Sequence, residues 1–271
     1  MNILKLLDKL SDDSLFTRQL SRSETLTDIS SLGKKAAIAA LPLGLGSFMA
    51  TSAKAETTKT TTDPAMMKSA LTDALQLALT LEYLEDEYYR IGLASPTLIP
   101  AADRTVFMQI SKHEAAHVVF LKSTLTSLGV TPAAKPTFDF TANGAFTPFS
   151  NYQQFLILAQ AFEDTGVRAY KGQAGNVMSN KAVLQAALQI HSVEARHASQ
   201  VRRMRAQKGW IELADGGMMP AATNPVYAGE GVTVQAGYNT ATAFGAAAGS
   251  AAYDEVLSGT DATAIAALFI D

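Results

Sequence analysis

The chain has 271 residues, 48% hydrophobic and 17% charged, with a formal net charge of −3. That composition excludes a disordered polyampholyte and leaves enough apolar material for a core, while the mild acidity offers no electrostatic footprint for nucleic acid. There is no cysteine, which excludes zinc-finger, iron–sulfur, thiol-catalytic and disulfide-framework chemistry, so any metal must take nitrogen and oxygen ligands.

Residues 1–55 read as an export signal. Lys34 and Lys35 precede an apolar run over 36–49, too short to span a bilayer as a helix. Ala53-Lys54-Ala55 then supplies the small-residue pattern for cleavage before Glu56. Ser21-Arg22-Ser23 resembles a twin-arginine signal that lacks one arginine. The competing reading is a buried helix or an uncleaved anchor. The expectation is an exported protein, periplasmic or held in the cell envelope, with a polar linker over 56–63.

From 64 to 209 the spacing predicts four long helices. Asp63-Pro64 pairs an N-cap with proline at the first helical position, and helical periodicity runs to about Ile91. Pro100 opens a second helix that stops at Gly129, with Pro132 beyond it. Ser150 with Gln153 forms a capping-box pattern for a third, ending near Gly175. Ser179 or Asn180 starts a fourth, ending at Gly209. Each is roughly 40 Å long at 1.5 Å per residue. The first and second pairs are joined by short links and are expected to be antiparallel hairpins. The link over 130–149 could reach about 65 Å when extended, more than one helix length. A structureless loop of that size fits a compact domain only if it crosses the whole bundle. The expected fold is therefore an all-α, ferritin-like four-helix bundle with one long crossover between helices two and three.

The inward stripes carry the chemistry. Helix one presents Leu71, Leu75, Ala78, Glu82, Glu85 and Tyr89. Helix two presents Ile110, Glu114, His117, Leu121, Leu125 and Leu128. Helix three presents Leu156, Ala159, Glu163, Gly166 and Tyr170, and helix four Val183, Ala187, Ile190, Glu194, His197, Val201 and Met204. Each apolar seam is interrupted near its middle by a carboxylate. The interruptions repeat: each half of the chain reads Glu-x6-Tyr and then Glu-x-x-His, with 32 positions from Glu82 to Glu114 and 31 from Glu163 to Glu194. All of them should meet in one layer. Burying unpaired carboxylates is costly, and Arg90, Lys112, Arg168 and Arg196 fall beside the seams rather than on them. Four carboxylates are balanced by two divalent cations, and two neutral imidazoles complete the ligand set. Oxygen and nitrogen donors suit iron or manganese, with zinc as competitor. Glu from two helices plus Glu-x-x-His from the other two is the ligand pattern of di-iron and di-manganese bundles.

Residues 64–209 resemble the ferritin-like superfamily, and most of all its exported bacterial ferritin-like domain proteins. LEYLEDEYY (81–89), KHEAAH (112–117), FEDTGVRAY (162–170) and HSVEARH (191–197) carry the resemblance. The paired motifs are similar to those of bacterioferritin and rubrerythrin more than to animal ferritin. The resemblance implies that Glu82 and Glu163 are terminal ligands, that Glu114 and Glu194 bridge two metals, and that His117 and His197 each cap one. It also implies that Tyr89 and Tyr170 hydrogen-bond to ligands.

The chain departs from that pattern in several places. Glu85 also faces inward where the other half has Gly166, and is expected to be an extra carboxylate, a fifth ligand or proton relay, in the space the glycine leaves. His191 is a candidate reserve ligand or ligand partner. His113 points off the seam, toward the outer environment of the site or the surface. Asp164 and Asp86 stand where they could orient imidazoles. Tyr83, Tyr88 and Phe162 are expected to pack, and Trp210 to anchor the tail. Residues 210–271 offer no chemical motif. They suggest a short strand over 232–234 and helices near 242–257 and 261–270, covering the bundle or meeting a second copy of the chain.

The leading expectation is oxidation of Fe(II) by dioxygen or hydrogen peroxide, because carboxylate-bridged metals can bind one O–O unit between them. A manganese form would favour peroxide disproportionation, as in manganese catalases. A further alternative is a stress-protective bundle whose metal only stabilises the fold. A storage cage does not follow from the site.

Overall fold

The computed structural model describes residues 64–271; the expected export signal and the linker lie outside the described residues. Four long helices dominate: α1 (Pro64–Ala94), α2 (Ala101–Ser127), α3 (Tyr152–Val177) and α4 (Lys181–Met204). After them come a 3-10 turn (Ala221–Thr223), α5 (Asn224–Tyr227), the two-residue strands β1 (Val234–Gln235) and β2 (Tyr238–Asn239), α6 (Thr240–Phe244), α7 (Ala246–Ala251) and α8 (Gly259–Ala267). No helix among the described residues is long and apolar enough to cross a membrane. The architecture is the all-α, ferritin-like bundle that the spacing predicts.

The helix boundaries follow local chemistry, with two corrections. The N-cap of α3 is Asn151, whose side chain accepts from the Gln153 and Gln154 amides, and not Ser150. Both residue types can cap, and the backbone turns extended one position later than the sequence pattern suggests. Asn180 caps α4 in the same way. That helix stops at Met204 rather than at Gly209, because Ala206 takes a left-handed conformation at φ 59° that ends the helical run.

The helices pack α1 on α2, α3 on α4 and α1 on α3, as two hairpins side by side. The long connection climbs α1 from one end to the other. Gln76 binds it through the Thr131 carbonyl (2.9 Å) and the Ala133 amide (2.9 Å). The Tyr83 hydroxyl donates to the Ala133 carbonyl, Lys135 pairs with Glu87 at 2.6 Å, and the Phe140 ring lies 5.1 Å from that of Tyr88. Helix α3 therefore starts at the far end, where Phe155 packs on Tyr88. This crossover sets the direction of α3, and with it the level at which Glu163 meets Glu82. Tyr83, Tyr88 and Phe162 are buried in the aromatic and aliphatic core, as expected.

The C-terminal extension packs on the bundle. Helix α8 lies against α1 and α3, with Ala262 and Ala266 buried on Leu81 and Ala169. The chain end pairs with the crossover, the Asp139 amide donating to the Phe269 carbonyl at 2.9 Å and the Asp271 amide to the Thr137 carbonyl at 3.1 Å. Trp210 does not anchor the tail: it is 51% exposed and its indole N–H donates to Glu212. The anchor is Arg168, buried on α3. It pairs with Glu230 at 2.6 Å and donates to the Val226, Ala228 and Glu255 carbonyls. The expected helix over 242–257 is two short ones, broken at Gly245 (φ 79°) and ending at Ala251, beyond which the chain runs without helix or strand to Leu257.

There it crosses α3 at Gly172. A Cβ on Gly172 would stand 1.9 Å from the Leu257 carbonyl oxygen. Gly172→Ala is therefore expected to lift the 252–258 segment off α3 and to cost about 1–3 kcal/mol, the usual range for overpacking. A thermal melt together with limited proteolysis checks this. New cleavage should fall in the extension, and an unchanged melt would contradict the close approach.

Candidate metal centre

The four interrupted seams converge. Glu82, Glu114, Glu163 and Glu194 are each 0% exposed and meet in the middle layer of the bundle. Two overlapping groups of donor atoms form there, all within 4.8 Å of one another in each group: Glu82, Glu114, His117 and Glu194 in one, and Glu114, Glu163, Glu194 and His197 in the other. Glu114 and Glu194 belong to both. The reason lies in the helical period. The i+3 step from glutamate to histidine keeps both side chains on one face of α2, and likewise of α4, while α1 and α3 each supply one glutamate from the opposite side.

Distances within the layer are those of donor atoms close enough to share a cation. His117 Nδ1 lies 3.1 Å from Glu82 Oε2, 3.0 Å from Glu114 Oε2 and 3.1 Å from Glu194 Oε1. His197 Nδ1 lies 3.0 Å from Glu114 Oε1, 3.2 Å from Glu163 Oε2 and 3.6 Å from Glu194 Oε2. One ring nitrogen has a single in-plane hydrogen or lone pair, so it cannot bond three oxygens at once. Atoms about 2.1 Å from one ion, at right angles, stand about 3.0 Å apart. The remaining oxygens agree: Glu114 Oε1 and both Glu194 oxygens are buried without a hydrogen-bond partner. Orphaned buried carboxylate oxygens cost more than the roughly 1–3 kcal/mol of a neutral group. The donor set therefore fits metal ions.

Among the described residues no lysine or arginine pairs with the four glutamates of the layer. Arg168 is occupied by the tail, and Arg202 pairs with Asp164 at 2.5 Å. Burial pushes the Glu82 and Glu85 carboxyls well above the usual carboxylate range, reinforced by their neighbours' charges, and pushes Glu163 up to about 7. Burial alone would depress His117, but the carboxylates of Glu114, Glu194 and Glu82 gathered around its Nδ1 outweigh it and push the imidazole up to about 12. His197 rises against burial in the same way, through the charge of Glu163 and the other glutamates close to its Nδ1. Without metal, the layer therefore holds protons tightly.

The two tyrosines bond across the bundle. Tyr170 of α3 donates to Glu82 of α1 at 2.5 Å, and Tyr89 of α1 donates to Glu163 of α3. The exchange reflects the repeated Glu-x6-Tyr spacing and gives the site an approximate two-fold symmetry. Burial raises both phenols, so they stay protonated and remain donors.

The other residues singled out by sequence fall as follows. Glu85 is 2% exposed and faces Gly166, where a Cβ would stand 3.3 Å from its Oε1. It fills that space but joins neither donor group. His191 also lies outside both groups. Its Nε2 is buried without a partner, and its neighbouring charges are Lys171 and Asp254. Asp164 orients no imidazole, since it is taken by Arg202 and by the Tyr227 hydroxyl at 2.8 Å. Asp86 orients none either; its neighbours are Lys135, Glu87 and Arg90, on the flank of α1. His113 is closer to the site than its off-seam position suggests: its Nδ1 lies 2.9 Å from His197 Nε2. Spacing within α2 gives no sign of that contact, which depends on how α4 is set against α2.

A family model described as a ferritin-like domain matches residues 70–207, half the chain. No curated protein matches it.

Proposed function

The chain belongs to the ferritin-like domain family, and from that premise we propose that it is a dinuclear iron–carboxylate protein that oxidises Fe(II) with dioxygen or hydrogen peroxide. The observation that carries the reading is the pair of donor groups sharing Glu114 and Glu194, since two ions held by common carboxylates can act on one O–O unit together. In this reading Glu82 and His117 hold one ion, Glu163 and His197 the other, and Glu114 and Glu194 lie between them. A redox-active pair held there would supply the electrons that pass from Fe(II) to the oxidant.

The protein's own groups prepare the site. The four glutamates give anionic oxygens that favour the higher metal charge. Tyr170 and Tyr89 each engage one oxygen of Glu82 and Glu163, which leaves the other directed at the donor group. The surrounding seams exclude water, so the charges act at low dielectric. Glu85 adds a further carboxyl, raised by burial and by its glutamate neighbours in the metal-free layer, placed to relay protons beside the reacting groups. The proposal includes export, on the sequence of residues 34–55, with a mature chain beginning at Glu56.

Elemental analysis of protein from its own cell, followed by stopped-flow mixing of the Fe(II)-loaded protein with dioxygen or with peroxide, tests the reading. The expected result is about two iron ions per chain, the number the paired site can hold, and prompt formation of Fe(III). Manganese in the native protein with oxygen evolution from peroxide would replace this reading by a catalase. Metal without turnover would replace it by a metal-stabilised bundle.

A further inference from the structure

Besides Glu85 opposite Gly166, the two halves of the centre differ at the residue that precedes each glutamate of the Glu-x-x-His pairs. The residue before Glu114 is His113, and the residue before Glu194 is Val193. His113 Nδ1 lies 2.9 Å from His197 Nε2, and the two rings meet edge to edge, nearly coplanar at 9°, with centroids 5.1 Å apart. On its far side, His113 Nε2 meets the side-chain amide of Gln109, an exposed residue on α2, at 2.7 Å; with Nδ1 accepting from His197, Nε2 carries the ring hydrogen and donates to the amide oxygen once the amide is flipped. His117 has no imidazole beside it. Its side chain is 12% exposed against 6% for His197.

We propose that His113 is a positioning residue that makes the two metal positions unequal, with the His197 position binding its ion more tightly than the His117 position. The inference rests on the dinuclear reading. It follows from the tautomer. For Nδ1 of His197 to offer its lone pair to an ion in the donor group, the ring hydrogen must sit on Nε2. Nδ1 of His113 is the acceptor that faces that hydrogen and holds the ring in place. Such a partner behind a ligating histidine is typically worth 10–100-fold in metal affinity. The edge-on contact in a shared plane also fixes the orientation of the His197 imidazole. His117 has neither support: Val193, at the matching position, has no polar atom, and the nitrogen of His117 away from the carboxylates has no protein partner among the described residues' hydrogen bonds.

Co(II) titration of the full chain, read by its visible absorption and by competition with a chelator, tests this. Wild-type protein should bind two ions in distinct steps, the tighter at least about 10-fold stronger. His113→Ala should weaken the tight step about 10–100-fold and bring the two together, while the melt of the metal-free protein stays unchanged. His113→Gln, which keeps an acceptor, should restore part of the difference. Val193→His should tighten the weaker step. Two equal steps in the wild type, or a His113→Ala variant with both steps unaltered, would overturn the proposal and leave the dinuclear reading standing. Fewer than two ions in the wild type would overturn that reading itself, and the proposal with it.

Discussion

Replacing Glu194 by glutamine is expected to empty the centre and, in the metal-free protein, to raise stability. Glu194 is one of two carboxylates present in both donor groups, and neither of its oxygens has a hydrogen-bond partner. A neutral amide keeps the volume but loses the charge that two ions would share. Loss of a partner outside the ligand set already costs 10–100-fold in affinity, so loss of the ligand itself should weaken both positions by more than about 100-fold. Metal content after dialysis should fall from about two ions per chain to well below one. The metal-free variant should be more stable than metal-free wild type by about 1–3 kcal/mol, because four buried carboxyl groups face only two imidazoles there and the neutral amide relieves that crowding of acidic groups. Opposite signs in the loaded and metal-free melts are the mark of a ligand; a structural glutamate would destabilise both. Glu163→Gln should show a smaller gain, since its amide oxygen still accepts from Tyr89.

The second large effect is expected on metal removal, and it depends on pH. At free metal about 1,000-fold above the dissociation constant, one bound ion stabilises the fold by about 4 kcal/mol, so chelation should lower the melting temperature sharply. In the stripped protein the Glu82 and Glu85 carboxyls are raised by burial and Glu163 is pushed up to about 7. The folded state then binds more protons than the unfolded one, and stability falls as pH rises from the ordinary carboxylate range through about 7. His117, raised to about 12 by its glutamate partners, acts in the same direction: its contribution is complete below the ordinary histidine value and declines as pH climbs past it. Metal-free protein should therefore melt higher at about pH 5 than at about pH 8. Loaded protein should show the reverse trend, because the ions displace those protons and bind more tightly as pH rises. Calorimetric melts at the two pH values, with and without chelator, check both signs. Parallel curves would mean that the layer is not a metal site.

The geometry of the candidate site was legible because it is a matter of helical phase. Glu82, Glu114, His117, Glu163, Glu194 and His197 sit on seams whose period is set by 3.6 residues per turn, and their equal spacing from the hairpin turns puts them at one height. The crossover was legible for a similar reason: a stretch that long has few compact solutions except to traverse the bundle. The bonds from Tyr89 to Glu163 and from Tyr170 to Glu82 followed from the resemblance only as hydrogen-bond partners of ligands. Which tyrosine reaches which glutamate was not written in either half alone.

Other features depend on contacts between elements far apart in the chain. Asp164 sits beside a ligand in sequence, yet Arg202 from α4 and Tyr227 from the extension claim it. Trp210 is the chain's single tryptophan, but the tail is secured by Arg168 and by the missing side chain of Gly172. His113 points off its own seam, and only the setting of α4 brings His197 to it. Local periodicity and charge thus determined by themselves the bundle, the layer and its acidic character, because covalent spacing along a helix fixes which side chains share a face. The tertiary structure decided which neighbours neutralise, orient or cover those side chains, because such pairings depend on how separate helices are turned and slid against each other, and no single helix carries that information.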